Sequence, residues 1–405
     1  MHIGFVIPRF HPYQGGYENS ILWLAHGLLG KGHRVTVFTT TAYDLEAFWL
    51  REFRALPAGT ESIEGITVHR FPISYQKWVR RSLRILSFLP SWRLKARFAR
   101  PGFLVTGLRE ALEREKPDII HVGPLPYNSL MSEGIRAGLR MGSRVIATPC
   151  THFGVEGKTE IAQFYTQKFQ IEMLKRCDAV ITMTEVERQR LSDLGVSDET
   201  IVTANFGIDP SAVINGNGEC FRQKYKIDGP VVLHLGTKAY DKGTISVVEA
   251  MKLLWKTGSR AWLVVAGSSL SEFDSYLIRN SQFDRLLNLP AIDDEEKRDL
   301  LAATTVLVHP SRVESFGLVY LEAWANGKPV IAADTAVSRE VIADQEDGLL
   351  VPFGDAAAIA NAIERLLGDP EARDRMGSSG KQKLYDRFCW NVTAPKIYSV
   401  FTPST

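Results

Sequence analysis

The chain has 405 residues, with 48 Lys and Arg against 46 Asp and Glu and a formal net charge of +2. This length exceeds what one hydrophobic core normally organises and predicts two domains of roughly 150–200 residues each. The near balance of charge argues against a protein that coats nucleic acid, and no run approaches the roughly 18 apolar residues that cross a bilayer.

The first part of the chain alternates short apolar runs with helical patterns. A strand, HIGFVI, is followed by a helical pattern whose apolar face holds Ile21, Leu24, Ala25, Leu28 and Leu29, and then by the strand HRVTVFTT. The later elements of this series are strands at 118–123, 144–149 and 178–183 and helices at 129–141 and 185–194. Such alternation predicts right-handed βαβ units and a parallel sheet covered on both faces.

A second series of the same kind follows. Its predicted strands are 231–236, 262–268, 305–311 and 329–334, and its predicted helices include 245–255 and 294–303. The stretch between the two series, 205–220, is rich in glycine, asparagine and proline and is interpreted as a linker. The fold class is therefore predicted as α/β, with two Rossmann-like doubly wound domains facing a central cleft that would hold the ligand.

The segment HPSRVESFGLVYLEAWANGKPVIAAD, residues 309–334, places seven residues between Glu314 and Glu322. Glu314 follows a predicted strand, and a helix is expected to start near residues 315–317 and to carry Glu322 in its second turn. The unpaired amides of a helix N-terminus bind anions, and Gly317 allows a ligand to approach the backbone. The two carboxylates could then accept hydrogen bonds from sugar hydroxyls. The alternative is an ordinary loop and helix with solvated carboxylates.

A second candidate anion loop lies at Gly15 and Gly16, between the first strand and its helix. The two glycines clear space at a helix N-terminus, although such a pair is also common in purely structural turns. Glu18 is either part of this site or an ordinary acidic residue of the first helical turn.

These residues are the basis of a family resemblance. The run 309–334 closely resembles the glutamate–seven residues–glutamate signature of GT-B-fold glycosyltransferases of family 4. Further segments resemble the same family in the same order: GGYE (15–18), PDIIHVG (117–123), NFGID (205–209), LGTKAYDKG (235–243) and DGLLVPFGD (347–355). The resemblance implies an N-terminal acceptor domain of residues 1–205 plus a returning helix at 390–405, and a C-terminal donor domain of residues 206–389.

The resemblance also implies roles for individual residues. Glu322 would hold the donor ribose, Glu314 would contact the transferred sugar, and the backbone of Ser315, Phe316, Gly317 and Leu318 would contact the diphosphate. Gly15 and Gly16 would lie against the donor phosphates and sugar. Lys242 matches the second member of the family's basic phosphate-binding pair. Thr237 replaces the arginine of that pair, and Lys238 beside it is a candidate substitute.

Three histidines lie in or just after predicted strands. His121 lies inside a predicted strand and His309 at a strand end, where a satisfied core residue is the commoner outcome. His152 follows a strand in TPCTHFG and is a candidate catalytic contact with the donor sugar or acceptor. Many members of the family carry a further histidine where this chain has Gly123.

The activity implied by the resemblance is retaining, metal-independent transfer of a sugar from a nucleotide-diphosphate donor to an acceptor hydroxyl. In this chemistry the acceptor attacks the face from which the phosphate departs, and the phosphate takes the proton. No protein nucleophile, metal or other cofactor is then expected, and the sequence has no DxD motif. The acidic run 293–296 is interpreted as a helix N-cap and first turn.

The segment KWVRRSLRILSFLPSWRLKARFAR, residues 77–100, combines basic residues with aromatic and aliphatic ones and contains no acidic residue. One interpretation is peripheral contact with an anionic membrane, and a second is a solvated face packed on the domain. A third is a groove for an acidic acceptor. The first interpretation favours a lipid-linked or cell-envelope glycan as the acceptor. Four scattered cysteines without a CxxC pair and the absence of signal-peptide features at the start predict a cytoplasmic location, peripheral to the inner membrane face.

Two other functions remain alternatives at the level of sequence. A nucleotide-sugar epimerase of the same fold would convert the donor without any acceptor. A catalytically weak sugar-nucleotide-binding module is suggested by Thr237 and Gly123. The nucleotide base, the sugar and the acceptor are not determined by the sequence.

Overall fold

The computed structural model describes residues 1–13, 15–49, 54–74, 91–98, 103–280 and 283–402, without the side chains of residues 97 and 98. The chain forms two compact units. The first contains Met1–His152, Glu160–Asn205 and the chain from Pro395 onward, and the second contains Phe153–Thr159 and Phe206–Ala394.

The first unit is built on a sheet with the strand order β10-β9-β8-β7-β1-β2-β4-β3. Its pairings are parallel except for the antiparallel pair of β3 and β4, and β5 pairs with β6 separately. The strands are β1 His2–Val6, β2 Arg34–Thr40, β3 Gly59–Ile63, β4 Ile66–Phe71, β5 Ile73–Ser74, β6 Leu104–Val105, β7 Ile119–Val122, β8 Arg144–Ala147, β9 Ala179–Thr182 and β10 Ile201–Thr203.

The helices of this unit lie between its strands along the chain, and most of them bury an apolar face, whereas α5 has no buried residue. They are α1 Gly16–Gly30, α2 Trp92–Phe98, α3 Leu108–Glu115, α4 Asn128–Met141, α5 Glu160–Tyr165, α6 Lys168–Leu174 and α7 Glu185–Asp193. In α1 the predicted face is largely confirmed, because Ile21, Leu24, Ala25 and Leu28 are buried.

The second unit is a parallel sheet with the order β13-β12-β11-β14-β15-β16. Continuous apolar strands such as WLVVA are typical of parallel sheets that are buried on both faces. The strands are β11 Val231–Leu235, β12 Trp262–Ala266, β13 Leu286–Leu289, β14 Val306–His309, β15 Val330–Ala333 and β16 Gly348–Val351. The helices are α8 Gly218–Tyr225, α9 Thr244–Lys256, α10 Ser271–Arg279, α11 Asp294–Ala303, α12 Leu318–Ala325, α13 Ala336–Val341, α14 Ala356–Gly368 and α15 Pro370–Lys383.

The last helix, α16 Trp390–Phe401, belongs partly to each unit. In the first unit its Phe401 ring packs 5.9 Å from the ring of Phe5, and the Tyr398 hydroxyl occupies the space that a side chain at Gly27 would fill. The prediction of two doubly wound α/β domains is confirmed. The predicted linker 205–220 is less irregular than expected, because α8 begins at Gly218 with Asn217 as its N-cap.

Much of the basic segment 77–100 lies outside the described residues. Within α2, Ala96 is buried and Trp92 packs against the core of the first unit. The Arg176 guanidinium lies 4.9 Å from the centre of the Trp92 ring. This part of the segment therefore fits a face packed on the domain. Across the described residues, no helix is both long enough and apolar enough to span a bilayer.

Candidate active site

The loop between β14 and α12 carries the first glutamate of the signature. The helix starts at Leu318, slightly later than predicted, because Gly317 adopts the left-handed conformation with φ 97° and cannot join it. A Cβ atom on Gly317 would collide with the Tyr320 ring, which lies under the turn. Phe316 is buried and packs on Phe388 with 5.3 Å between ring centres. Glycine is therefore required here by both conformation and packing, and the helix N-terminus follows the loop directly.

Glu314 forms a tight ionic contact at this helix start. Its Oε1 atom lies 2.5 Å from the Lys242 ammonium and 3.0 Å from Nε2 of His309. Burial alone would raise the pKa of Glu314, but Lys242 and His309 lower it more, and the net pKa lies well below its ordinary value. The carboxylate is therefore ionised, and His309 must donate to it through Nε2–H.

Lys242 reaches Glu314 because the loop after β11 is tied to the loop after β14. Arg312 donates a backbone hydrogen bond to the Asp241 carbonyl at 3.0 Å and a side-chain bond to the Asp241 carboxylate at 2.8 Å. Gly243 packs so closely on Pro310 that a Cβ atom would overlap its carbonyl. The Lys242 ammonium also donates to the Val313 carbonyl at 2.9 Å.

A second histidine, His234, packs against the ring of His309. The rings of His234 and His309 are stacked with 4.9 Å between their centres. Burial, with His309 as a further cause, holds the pKa of His234 well below its ordinary value, so this ring is neutral. Its Nδ1–H donates to the Val308 carbonyl at 2.9 Å, which leaves Nε2 to accept from Thr244 Oγ1 at 2.9 Å. The ring that stacks on His309 therefore has a fixed tautomer and orientation.

Glu322 lies in the second turn of α12, as predicted. Its carboxylate contacts the Lys297 ammonium at 2.5 Å, with side-chain exposures of 13% for Glu322 and 18% for Lys297. Lys297 is carried by α11, whose N-cap Asp293 accepts from the backbone N–H of Glu296 at 2.8 Å. The prediction that residues 293–296 cap a helix is confirmed. Both glutamates of the signature therefore have one lysine partner from a neighbouring element.

Lys238 has a different environment from Lys242. Its ammonium donates to Asn288 Oδ1 at 2.7 Å and to the Leu289 carbonyl at 2.8 Å, at the end of β13. Burial lowers the pKa of Lys238 to about 8. The Thr237 hydroxyl lies 3.3 Å from that of Ser268. These contacts tie the chain after β11 to β13 and to the end of β12, so the Lys238 charge already has acceptors within its own unit.

In the first unit, Gly15 is the N-cap of α1 and Gly16 its first residue. Glu18 folds back across the place where a Gly15 side chain would project, and it pairs with Arg9 at 3.2 Å. Both side chains are less than a tenth exposed, at 8% and 7%. The Arg9 guanidinium also lies 3.6 Å above the Tyr13 ring. Glu18 is therefore a buried ion-pair partner that shapes the glycine loop, and Arg9 was not anticipated from the sequence.

His121 is a core residue, as the commoner of its two interpretations predicted. It is fully buried, its Nε2 lies 2.8 Å from Thr148 Oγ1, and burial lowers its pKa to about 3. At Gly123 a Cβ atom would overlap the Thr148 carbonyl and the Tyr17 hydroxyl. This packing explains why the chain has no side chain at that position.

His152 is half-buried after β8 and stacks on Tyr165 with 4.6 Å between ring centres. It belongs to the first unit, whereas Glu314, Lys242 and Glu322 belong to the second. Ser315 and Leu318 are half-buried beside Phe316 and Gly317. The structure thus brings Glu314 together with Lys242 and the start of α12, and it adds His309 as a direct partner of Glu314.

Two family models match this chain. The family model of glycosyl transferases group 1 matches residues 219–383, and that of the glycosyl transferase 4-like domain matches residues 15–207. Together the two models cover most of the chain, and both describe glycosyltransferases. The chain belongs to the GT-B-fold glycosyltransferases of family 4, the glycosyl transferases group 1.

Two relatives illustrate the range of similarity. The phosphatidyl-myo-inositol mannosyltransferase of Mycobacterium leprae is 26% identical over 410 residues, covering 99% of this chain and 96% of that protein. The lipopolysaccharide core biosynthesis glycosyltransferase LpsE of Rhizobium meliloti is 29% identical over 238 residues. That match covers 58% of this chain and spans 66% of the length of LpsE, just under two thirds.

Solved structures share the architecture. Sucrose-phosphate synthase from Thermosynechococcus elongatus matches with a TM-score of 0.73 at 21% identity, over 99% of this chain and 98% of that one. Anabaena HepE in complex with UDP and glucose matches with a TM-score of 0.74 at 17% identity, over 99% of both chains. At these sequence identities the similarity to the solved structures shows a shared fold and nothing further.

Proposed function

We propose that the protein transfers a sugar from a nucleotide-diphosphate donor to an acceptor hydroxyl with retention of anomeric configuration and without a metal ion. The observation that carries this proposal is the ionised Glu314, held by Lys242 and His309 at the start of α12. The site offers a carboxylate for sugar hydroxyls, an ammonium for a diphosphate and a helix N-terminus for the same anion. The UDP and glucose in the HepE complex support a donor of this class.

In the proposed complex, Glu322 accepts hydrogen bonds from the ribose, and the backbone of residues 315–318 meets the phosphates. Lys242 turns from Glu314 towards the diphosphate, where its charge stabilises the leaving group as the bond between sugar and phosphate breaks. The acceptor oxygen bonds to the anomeric carbon on the same face, and the departing phosphate takes its proton. In this proposal Lys242 and the helix start supply the positive charge that the leaving group needs.

The acceptor is proposed to be a lipid-linked or cell-envelope glycan, bound by the first unit. The names of two relatives support this class, since one acts on phosphatidyl-myo-inositol and the other in lipopolysaccharide core biosynthesis. We also propose a cytoplasmic protein that contacts the anionic inner membrane face through residues 77–100. Neutralising four basic residues there should abolish binding to anionic vesicles, and retained binding would reject this contact.

The donor class is tested by thermal stabilisation with UDP-, GDP- and ADP-sugars. At about 100 times the dissociation constant, a ligand that binds only the folded protein adds about 2.7 kcal/mol to the free energy of unfolding. One nucleotide class should raise the unfolding temperature of the wild-type protein and have a much smaller effect on Glu322→Ala. If none of these compounds stabilises the wild-type protein, the proposal of a nucleotide-diphosphate donor is wrong.

A further inference from the structure

A cavity of about 620 Å³ lies at the amino-terminal edge of the second sheet. Its walls include the residue pairs that precede three parallel strands, namely 229–230 before β11, 304–305 before β14 and 328–329 before β15. Glu314 follows the opposite, carboxyl-terminal end of β14. This cavity is therefore separate from the candidate active site, and we refer to it as the amino-edge groove.

Three basic side chains line the amino-edge groove: Arg222, Lys328 and Arg373. Arg222 donates to the Gly229 carbonyl at 2.7 Å and to the Ala303 carbonyl at 2.9 Å. These bonds use two of its five N–H donors and hold the guanidinium against the wall.

A backbone hydrogen bond fixes the position of the Lys328 main chain in the wall of the groove. Helix α12 ends at Ala325, two residues before Gly327, which has φ 66°. The Lys328 N–H donates back to the Ala323 carbonyl at 3.0 Å. Gly377 of α15 packs directly on the Gly327 carbonyl, so the helix that carries Arg373 lies close to Lys328. No hydrogen bond or ion pair of the Lys328 ammonium appears within the described part of the chain.

The charges around Lys328 are mostly of its own sign. Burial, followed by Arg222 and Arg373, lowers the pKa of Lys328, and Asp374 opposes them only in part. Asp374 also lines the groove, and its carboxylate lies 3.7 Å from the Arg373 guanidinium. The other carboxylate of the groove, Asp228, is already paired with Arg285 at 2.5 Å and with Arg260 at 3.0 Å. A half-buried ammonium beside two guanidiniums is unfavourable unless a counter-charge joins it.

We propose that the amino-edge groove is a second ligand site, which binds the phosphate group of a small molecule between Arg222, Lys328 and Arg373. A phosphate dianion matches a convergence of three positive charges, and arginine forks suit its oxygens. The volume falls within the roughly 300–1,000 Å³ of small-molecule sites. The ligand is neither donor nor acceptor, because the groove lies at the sheet edge opposite to Glu314.

The groove adjoins the two helices that carry Glu322 and its partner. Helix α11 bears Lys297 and ends in the groove at Ala303, while α12 bears Glu322 and ends at Ala325, just before the groove residue Gly327. The proposed ligand would therefore lie beside the end of α11 and beside the loop that follows α12.

The test is calorimetric titration of the full-length protein with inorganic phosphate at pH 7.5. Lys328→Met and Arg373→Gln should each weaken binding by about tenfold or more, because each removes a charge-assisted hydrogen bond. Arg375→Gln is the matched control, since Arg375 is exposed on the same helix and does not line the groove. It should bind phosphate as the wild-type protein does.

Two further measurements keep the result interpretable. Lys328→Met should unfold at the same temperature as the wild-type protein or higher in phosphate-free buffer, which separates lost binding from lost folding. Lys242→Met should still bind phosphate through the groove. The proposal is overturned if wild-type protein binds no phosphate, if Lys328→Met and Arg373→Gln bind normally, or if Lys242→Met is the variant that loses binding.

Discussion

The Nε2 atom of His309 donates to Oε1 of Glu314 across 3.0 Å, from the last residue of β14 to the loop that precedes α12. The same oxygen contacts Lys242 at 2.5 Å. Glu314 is therefore kept ionised in a poorly solvated place, where its charge and orientation are fixed before any ligand binds. Such preorganisation is what electrostatic catalysis requires.

The low pKa of Glu314 predicts a definite dependence of stability on pH. The ordinary pKa is 4.5 and the folded pKa is lower, so the unfolded state takes up the proton first as the pH falls. The stabilisation is fully present above about pH 4.5 and is lost progressively below it. We expect the difference in unfolding free energy between wild-type protein and Glu314→Gln to be constant from pH 7 to 5 and to shrink towards pH 3. Denaturant titrations across this range measure it, and a constant difference down to pH 3 would contradict the ionised pair.

Substitution of Lys242 should mainly reduce turnover, whereas substitution of Lys238 should mainly reduce stability. Lys242→Met removes the charge beside Glu314, and we expect turnover to fall by about 10²–10³-fold. Lys238→Met leaves Asn288 Oδ1 and the Leu289 carbonyl without a donor and should cost about 1–3 kcal/mol of stability, with a far smaller effect on turnover. Steady-state kinetics and thermal unfolding of both variants distinguish the two roles. A greater loss of turnover in Lys238→Met would reverse the assignment.

The elements that the sequence predicted best are those with continuous apolar runs or complete capping signals. Helix α11 has the predicted bounds, 294–303, because Asp293 caps it and acidic residues fill its first turn. The hairpin of β3 and β4 was not predicted, since four of the five residues of β3 are exposed and carry no apolar pattern. The two glutamates and Lys242 were identified through a recognisable motif.

The partners of the site residues could not be predicted, because they come from distant parts of the chain. Lys297 and Glu322 lie on the two helices before and after β14. His234 lies on β11, the strand beside β14, and stacks on His309. The pairing of Arg9 with Glu18 depends on how the chain folds back across Gly15. Sequence spacing gives no account of these contacts, because they depend on strand order and side-chain direction.

Glu322→Ala should weaken donor binding while leaving the fold intact. The variant loses a charged acceptor for the ribose hydroxyls, and we expect the dissociation constant to rise by about 10–100-fold. Calorimetry with the donor identified by thermal stabilisation measures this change. Glu364→Ala is a suitable control, because Glu364 is exposed on α14. Equal affinities in the two variants would remove Glu322 from the donor site.

Gly123→Ala should destabilise the first unit. Its Cβ atom would overlap the Thr148 carbonyl and the Tyr17 hydroxyl, and relieving such overpacking typically costs about 1–3 kcal/mol. Gly30→Ala adds the same atom at the end of α1, where nothing lies within 4 Å, and should be neutral or slightly stabilising. Thermal unfolding of the two variants tests the packing at Gly123. Equal unfolding temperatures would show that the loop after β7 relaxes freely.

The measurement that tests the proposed activity most directly is proton NMR of donor turnover, because it reports both bond cleavage and anomeric configuration. The protein is incubated with UDP-, GDP- and ADP-sugars, with water as the acceptor, and the released sugar is observed before its anomers equilibrate. We expect one donor to yield nucleoside diphosphate and a sugar of retained configuration, and Lys242→Met to lose most of this turnover. Release of the inverted anomer, or formation of an epimeric nucleotide sugar without cleavage, would contradict retaining glycosyl transfer.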